Sequence, residues 1–237
     1  MFPGGVEALQ GIDFTIQAGG FLALTGPSGC GKTTVLRQVA GLDRPTSGTV
    51  TVSSGRTAYC FQDARLLPWR SLQRNVELPL ELEGVDSAER ARRARVALER
   101  VGLGRALDRL PHACSGGMRM RASVARALVV EPDLLLLDEP FGALDEVTRE
   151  ELDEMLLELW TSDRMTVLLV THSIREAVYL AEDIIVMAAE PGRIVDRRTI
   201  EFGERTPDLR TSPEFNAQVR ALQHALQTAA PVGGGDA

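Results

Sequence analysis

The residues Gly26-Pro27-Ser28-Gly29-Cys30-Gly31-Lys32-Thr33-Thr34 match the phosphate-cradling pattern G-x-x-x-x-G-K-[ST] at every fixed position. Glycines at this spacing let the backbone wrap a phosphate with successive N–H groups pointing inward, and a helix opening at Lys32 adds the positive end of its dipole. Lys32 is then placed to reach the β- and γ-phosphates of ATP, and the Thr33 hydroxyl to hold Mg²⁺. Lys32 is also the one lysine among 26 Lys and Arg residues. Codon bias accounts for the arginines but not for where the single lysine falls. A compact ammonium enters a phosphate cradle where a planar guanidinium would not fit.

Two further carboxylates and a histidine stand where a nucleotide could meet them. Asp138 and Glu139 end the continuous apolar run Leu134-Leu135-Leu136-Leu137. Alone, such a pair reads as a strand-end turn; in a chain with a phosphate loop, Asp138 suits Mg²⁺ and Glu139 can polarise the attacking water. His172 follows the apolar run Val167-Leu168-Leu169-Val170-Thr171 and precedes Ser173-Ile174-Arg175-Glu176, the pattern of a capping box in which Ser173 caps a helix and Glu176 reaches back. The fixed imidazole is expected to contact the γ-phosphate. Ser115-Gly116-Gly117-Met118, just ahead of a helix, combines glycine N–H groups, a hydroxyl and a helix N-terminus into a second anion site. One ATP already has its cradle, so this second site is surplus within one chain.

The elements that must position these residues alternate between strand and helix. Phe21 to Thr25 is an apolar run of strand length ahead of the phosphate loop, and Val35 to Ala40 is helical behind it. Val6 to Ile16 has the alternation of half-buried strands with a glycine-bearing break, and Ala18-Gly19-Gly20 turns the chain. Asp43 to Gly48 is a turn cluster, followed by expected strands at Thr49 to Val52 and Arg56 to Phe61. From 72 to 130 the pattern becomes helical, with runs at Ala88 to Val101 and Met118 to Val130. Then come a buried strand at Leu134 to Leu137, a helix at Glu146 to Trp160, a strand at Thr166 to Thr171, a helix at Ile174 to Ala181 and a strand at Asp183 to Ala188. Ile194 and Ile200 flank an expected last hairpin, and Ser212 to Gln227 reads as a modest helix. The class is α/β: a P-loop NTPase core of mostly parallel sheet with an N-terminal antiparallel β part and an inserted helical subdomain, ligands lying outside the strands' carboxyl ends. One domain over 1–228 and a disordered tail over 229–237 are expected.

Composition sets bounds on the partners. A net charge of −7 argues against a nucleic-acid-coating surface, and Arg90, Arg92, Arg93 and Arg95, interleaved with alanines near Glu89 and Glu99, read as a solvated helix face. No apolar run approaches the ~18 residues of a membrane span and no charged-then-apolar signal segment opens the chain, so a cytoplasmic location is expected. Cys30, Cys60 and Cys114 follow no metal or redox spacing and are expected to be reduced structural thiols.

The concurrence of the phosphate loop, Ser115-Gly116-Gly117 and Asp138-Glu139, in this order, resembles the ATP-binding cassette (ABC) ATPases over Phe2 to about Ile200. The resemblance implies that Gln62 joins the Mg²⁺ and water network, that Glu139 is the general base and His172 the switch histidine. It further implies that Ala143-Leu144-Asp145 is the loop crossing to a partner subunit and that Phe2 stacks on adenine. Ser115, Gly116 and Gly117 would close the ATP site of a second copy, so a head-to-tail catalytic dimer is implied.

Three stretches are similar more narrowly to the ATPases of nitrate, sulfonate and taurine importers: Phe61 to Arg70, Cys114 to Arg119 and Glu190 to Val195. In such ATPases the first of these meets a helix of the membrane permease, which makes Leu66, Leu67 and Trp69 a docking site. Cys114 stands where the signature has Leu, Met120 where Gln is common, and Ser173 where Asp is usual. The expectation is an ATPase subunit on the cytoplasmic face of the inner membrane, powering uptake of a small anionic solute with a permease and, indirectly, a solute-binding protein. A soluble ABC ATPase acting on DNA, ribosomes or cluster assembly is the rival, and an ordinary P-loop kinase would leave Ser115 to Gly117 without a purpose.

Overall fold

The computed structural model describes residues 8–53 and 55–229. In chain order the elements are β1 (Phe21–Thr25), α1 (Lys32–Val39), β2 (Thr57–Cys60), α2 (Leu72–Leu82), α3 (Ser87–Arg100), α4 (Gly116–Leu128), β3 (Leu134–Asp138), α5 (Glu146–Asp163), β4 (Thr166–Thr171), α6 (Ile174–Leu180), β5 (Asp183–Ala188), β6 (Arg193–Thr199) and α7 (Pro213–Ala229). They fall into two compact units, one of residues 8–53 with 168–229 and the other of residues 55–167.

In the first unit β1 runs parallel to β5, pairing Leu22 with Asp183 through Thr25 with Val186. Every residue of β1, and all of β5 after Asp183, is buried, as continuous apolar strands covered on both faces require. β6 returns antiparallel to β5 from Ala188–Arg193 to Asp183–Thr199, with an irregularity between Val186 and Met187 that re-aims the strand. The hairpin is therefore β5 with β6, turning at 189–192; the stretch from Ile194 towards Ile200, expected to hold a last hairpin, is instead the single strand β6. α6 packs on β1 and α7 on β5, the latter through Phe215, Val219 and Leu222. Buried Arg210 lies over the Tyr179 ring at 3.5 Å, a desolvated cation–π contact that ties the turn before α7 to α6.

In the second unit β2 and β3 pair in parallel, Thr57 with Leu134 through Cys60 with Leu137. The Asp133 carboxylate accepts from the Arg56 N–H at 2.8 Å and so fixes where the pairing begins. α2, α3 and α4 pack on one another around Leu72, Val76, Leu80, Leu98, Val124 and Leu128, with α4 also covering β2. The alanine-rich faces of α3 and α4 permit this close packing, while the arginines of α3 point outward or bond carbonyls: Arg90 donates to Val85 O at 2.7 Å and Arg93 to Val129 O at 2.7 Å.

Two sequence expectations differ from the structure. Residues 8–16, the described part of the run expected as strands, form no paired strand; Leu9 makes an isolated bridge with Gly192, and Gly11 breaks the run at positive φ, while Gly19 lies in the expected turn. Residues 49–52 are also without a ladder, although Val50 and Val52 remain exposed apolar residues. Alternation marks a half-buried extended segment but does not supply the neighbouring edge a strand needs. Among the described residues the antiparallel pairing is therefore β5 with β6. Phe2 lies outside the described residues, as do 230–237, so neither the adenine contact nor most of the expected tail has a structural counterpart here. No helix among the described residues is long and apolar enough to cross a membrane.

Candidate nucleotide site

The phosphate loop leaves the carboxyl end of β1 and enters α1 without a side-chain cap. Gly26, Gly29 and Gly31 stand at φ 155°, 81° and 95°, and Gly31 occupies the cap position of α1. A Cβ at Gly31 would collide with the Leu9 side chain, so the segment Ala8–Leu9 packs where only hydrogen fits. That segment is itself held by the β5–β6 turn, with Gly192 N–H donating to Ala8 O at 3.0 Å and Gln10 N–H to Gly192 O at 2.8 Å. Lys32 is 4% exposed and its ammonium donates to Gly26 O at 2.9 Å and Pro27 O at 3.0 Å. The loop's own carbonyls thus hold the cation against the glycine-lined backbone. Thr33 is exposed in the first turn of α1, with Pro27, Ser28 and Gly29 exposed along the loop. A glycine-capped helix start, a fixed ammonium and an exposed hydroxyl fit a polyphosphate and a hard, oxygen-seeking cation.

His172 belongs to the same unit and is exposed at the turn from β4 into α6. Ser173 caps α6 by accepting from Glu176 N–H at 3.3 Å. The buried Glu176 carboxylate accepts from the Thr171 hydroxyl, and Ser173 N–H donates to that same hydroxyl at 2.9 Å. A threonine therefore joins the expected capping box, and the strand-to-helix turn that carries His172 is tied on both sides.

In the other unit Asp138, 8% exposed, ends β3 and accepts from the Tyr59 hydroxyl at 2.8 Å. Glu139 follows at φ 46°, a left-handed conformation that non-glycine residues use sparingly, and Gly142 N–H closes the turn onto its carbonyl at 3.2 Å. Gln62 is exposed just beyond β2. The Cys60 thiol at the end of β2 is buried, which pushes its pKa up, and it contacts Ser123 at 3.5 Å and Met120 at 4.0 Å. All three cysteines are free and buried.

Ser115 is the cap of α4, accepting from Met118 N–H at 3.2 Å, and Gly116 and Gly117 form the first turn rather than preceding the helix. The structure brings this turn against the loop before α5. A Cβ at Gly116 would lie 3.2 Å from Leu144 Cδ2, and one at Gly117 would lie 2.7 Å from Thr148 Cγ2 in the first turn of α5. Asp145 caps α5 by accepting from Thr148 N–H at 3.0 Å, which holds its carboxyl below the ordinary range, and Arg149 braces the same loop through Leu144 O at 2.8 Å. The signature turn and the Ala143-Leu144-Asp145 loop are one packed feature.

Leu66 and Leu67 are half-buried, whereas Trp69 is 73% exposed. Two residues absent from the sequence reading pin this segment. Asn75, fully buried, accepts from Leu67 N–H at 2.6 Å and donates to Leu67 O, Arg70 O and Ser71 O; Arg126 donates to Ala64 O and Arg65 O, both at 2.8 Å. A buried asparagine on an otherwise apolar helix face was the available signal. Tyr59 was likewise missed, although its register opposite Leu136 puts it on the face of β3 that carries Asp138.

A phosphate loop behind a buried parallel strand and an acidic pair at the end of another define a P-loop NTPase. The ABC transporter family matches residues 9–142. Taurine import ATP-binding protein TauB of Escherichia coli (strain K12) is 40% identical over 227 residues, spanning 90% of this chain and 89% of that protein. An uncharacterized ABC transporter ATP-binding protein of Methanocaldococcus jannaschii is 43% identical over 217 residues, spanning 89% and 80%. Among solved structures, the dimeric post-hydrolysis state of the ATP-binding cassette MJ0796, bound to ADP and Pi, superposes with a TM-score of 0.75 at 31% identity, covering 84% of this chain and 93% of that one. The chain belongs to the ABC transporter family, as an ATP-binding subunit with the ABC ATPase fold and ATPase activity.

Proposed function

We propose that this subunit powers import of a small anionic solute of the nitrate, sulfonate or taurine kind, working as two head-to-tail copies docked on a membrane permease at the cytoplasmic face of the inner membrane. The observation that carries the pairing is the Ser115-capped, glycine-opened start of α4, a second anion site in a chain whose phosphate loop already serves one nucleotide. The named relatives that import taurine support the solute class.

In this reading Gly26, Pro27, Ser28, Gly29, Cys30, Gly31 and Thr34 form the cradle, and Lys32 offsets charge on the β- and γ-phosphates. Thr33 and Asp138 would hold Mg²⁺, with Gln62 joining its water network, and the cation when bound would offset negative charge on the phosphates. Glu139 accepts the proton of the attacking water, and His172 contacts the γ-phosphate. Ser115, Gly116 and Gly117 of the second copy supply a hydroxyl and backbone N–H groups to that same phosphate, with Asp145 in the adjoining crossing loop. Closure on ATP and reopening after hydrolysis transmit force to the permease.

Trans-complementation tests the pairing. A Lys32→Ala chain and a Ser115→Arg chain are each expected to be inactive alone. In a mixed pair, one composite site keeps the intact Lys32 of one chain and the intact Ser115 of the other, so ATPase activity returns. A mixture as inactive as its parents, under conditions where mixed pairs are shown to form, removes the composite site.

A further inference from the structure

We infer that Tyr59 is a positioning residue for the Asp138 carboxylate, setting the direction from which that carboxylate meets Mg²⁺. This rests on the assignment of Asp138 to the metal proposed above. The Tyr59 hydroxyl donates to Asp138 Oδ2 at 2.8 Å. The contact follows from the sheet: Tyr59 pairs with Leu136, and Asp138 is two residues further along the same strand, so both side chains stand on one face. The tyrosine ring is held in turn. Its centroid lies 4.4 Å from that of Phe61, two residues on, and the Arg65 guanidinium lies 4.2 Å over the Phe61 ring.

A carboxylate has two oxygens and about four lone-pair sites. With Oδ2 engaged by a phenol on a rigid strand, the rotation of the carboxylate about its Cβ–Cγ bond is restricted and Oδ1 keeps a defined heading. A phenol suits this task better than a basic side chain, because it orients the carboxylate without neutralising the charge that a divalent cation needs. Asp138 is nearly buried, so an oriented carboxylate there is not readily replaced by a hydrated, mobile one.

The test is Tyr59→Phe, which removes one oxygen and keeps the ring against Phe61. Mn²⁺, replacing Mg²⁺ as an observable ion, is titrated into protein saturated with a non-hydrolysable ATP analogue, and bound metal is read from the loss of the free-ion EPR signal. The half-saturating Mn²⁺ concentration is expected to rise roughly 10-fold, the loss associated with a hydrogen bond to a charged group, while analogue affinity in EDTA stays at the wild-type value. An unchanged half-saturation overturns the inference, including when the melting temperature falls, because Tyr59 would then only tie β2 to β3. Asp138→Asn, run alongside, separates the two claims. If it shifts the titration and Tyr59→Phe does not, only the positioning role falls; if neither shifts it, the assignment of Asp138 falls as well.

Discussion

Glu139 is the residue at which backbone and chemistry meet most sharply. It stands at φ 46° immediately before Pro140, a conformation that costs a non-glycine residue of order 1–3 kcal/mol and persists only where its surroundings enforce it. Pro140 disfavours the ordinary helical alternative for its predecessor, and the Gly142 N–H bond fixes the turn. The carboxylate is thereby presented from a defined backbone. Glu139→Gln retains size and polarity while removing basicity. ATP binding is expected to persist while steady-state turnover falls at least ~100-fold, the lower range for a positioned acid–base group. Wild-type turnover in that variant would remove Glu139 from the role of base. At this scale Lys32, Thr33, Asp138 and Glu139 could be proposed from the sequence because the motifs that nominate them have fixed local spacing. Tyr59, Asn75 and Arg126 were not, since their partners lie 79, 8 and 61 or 62 residues away and only the folded register or turn reveals them.

Helix starts are the elements that place most of the proposed site, and their chemistry differs in a way that acid exposes. α4 and α6 are capped by the hydroxyls of Ser115 and Ser173, which do not titrate, whereas α3 and α5 are capped by the carboxylates of Asp86 and Asp145. Backbone N–H bonds lower both carboxyl pKa values, led by Ala88 for Asp86 and Thr148 for Asp145. A depressed folded-state pKa means stabilisation that is complete above the unfolded value, about 3.9, and is lost as pH falls through the lower folded value. Far-ultraviolet circular dichroism on acidification from pH 6 should therefore show a low-pH loss that is reduced in the Asp86→Asn, Asp145→Asn double variant, since asparagine caps as well and carries no titrating charge. An identical acid limb in both proteins would exclude the caps as its source. The core elements were readable from hydrophobic period, β4 to the residue, because buried strands and alanine-rich helices have strong local patterns. The stretch Val6 to Ile16, described from residue 8, and the segment 49–52 were read as strands because alternation alone cannot show whether a partner edge exists.

For the whole molecule, the proposed import role requires a surface for the permease, and the second unit carries an apolar one. Trp69 and Leu82 are 73% and 80% exposed, and they are the neighbours in sequence of Arg70 and Glu81, whose side chains pair at 2.6 Å. That ion pair joins the loop before α2 to the last turn of α2, while Asn75 and Arg126 hold the loop from within. Leu66 and Leu67 in the same segment are half-buried. A rigid aromatic side chain presented from a braced loop has the character of an interface anchor, where truncation typically costs ~2 kcal/mol or more of binding. Trp69→Ser should therefore weaken retention of the permease by about 30-fold in pull-downs from detergent-solubilised membranes, with Leu82→Ser adding to the loss. The melting temperature of the isolated chain should barely move, because substitutions at exposed positions usually change stability by less than about 0.5 kcal/mol. Undiminished retention in the double variant would place the permease contact elsewhere, and a large fall in melting temperature would return Trp69 to a structural role.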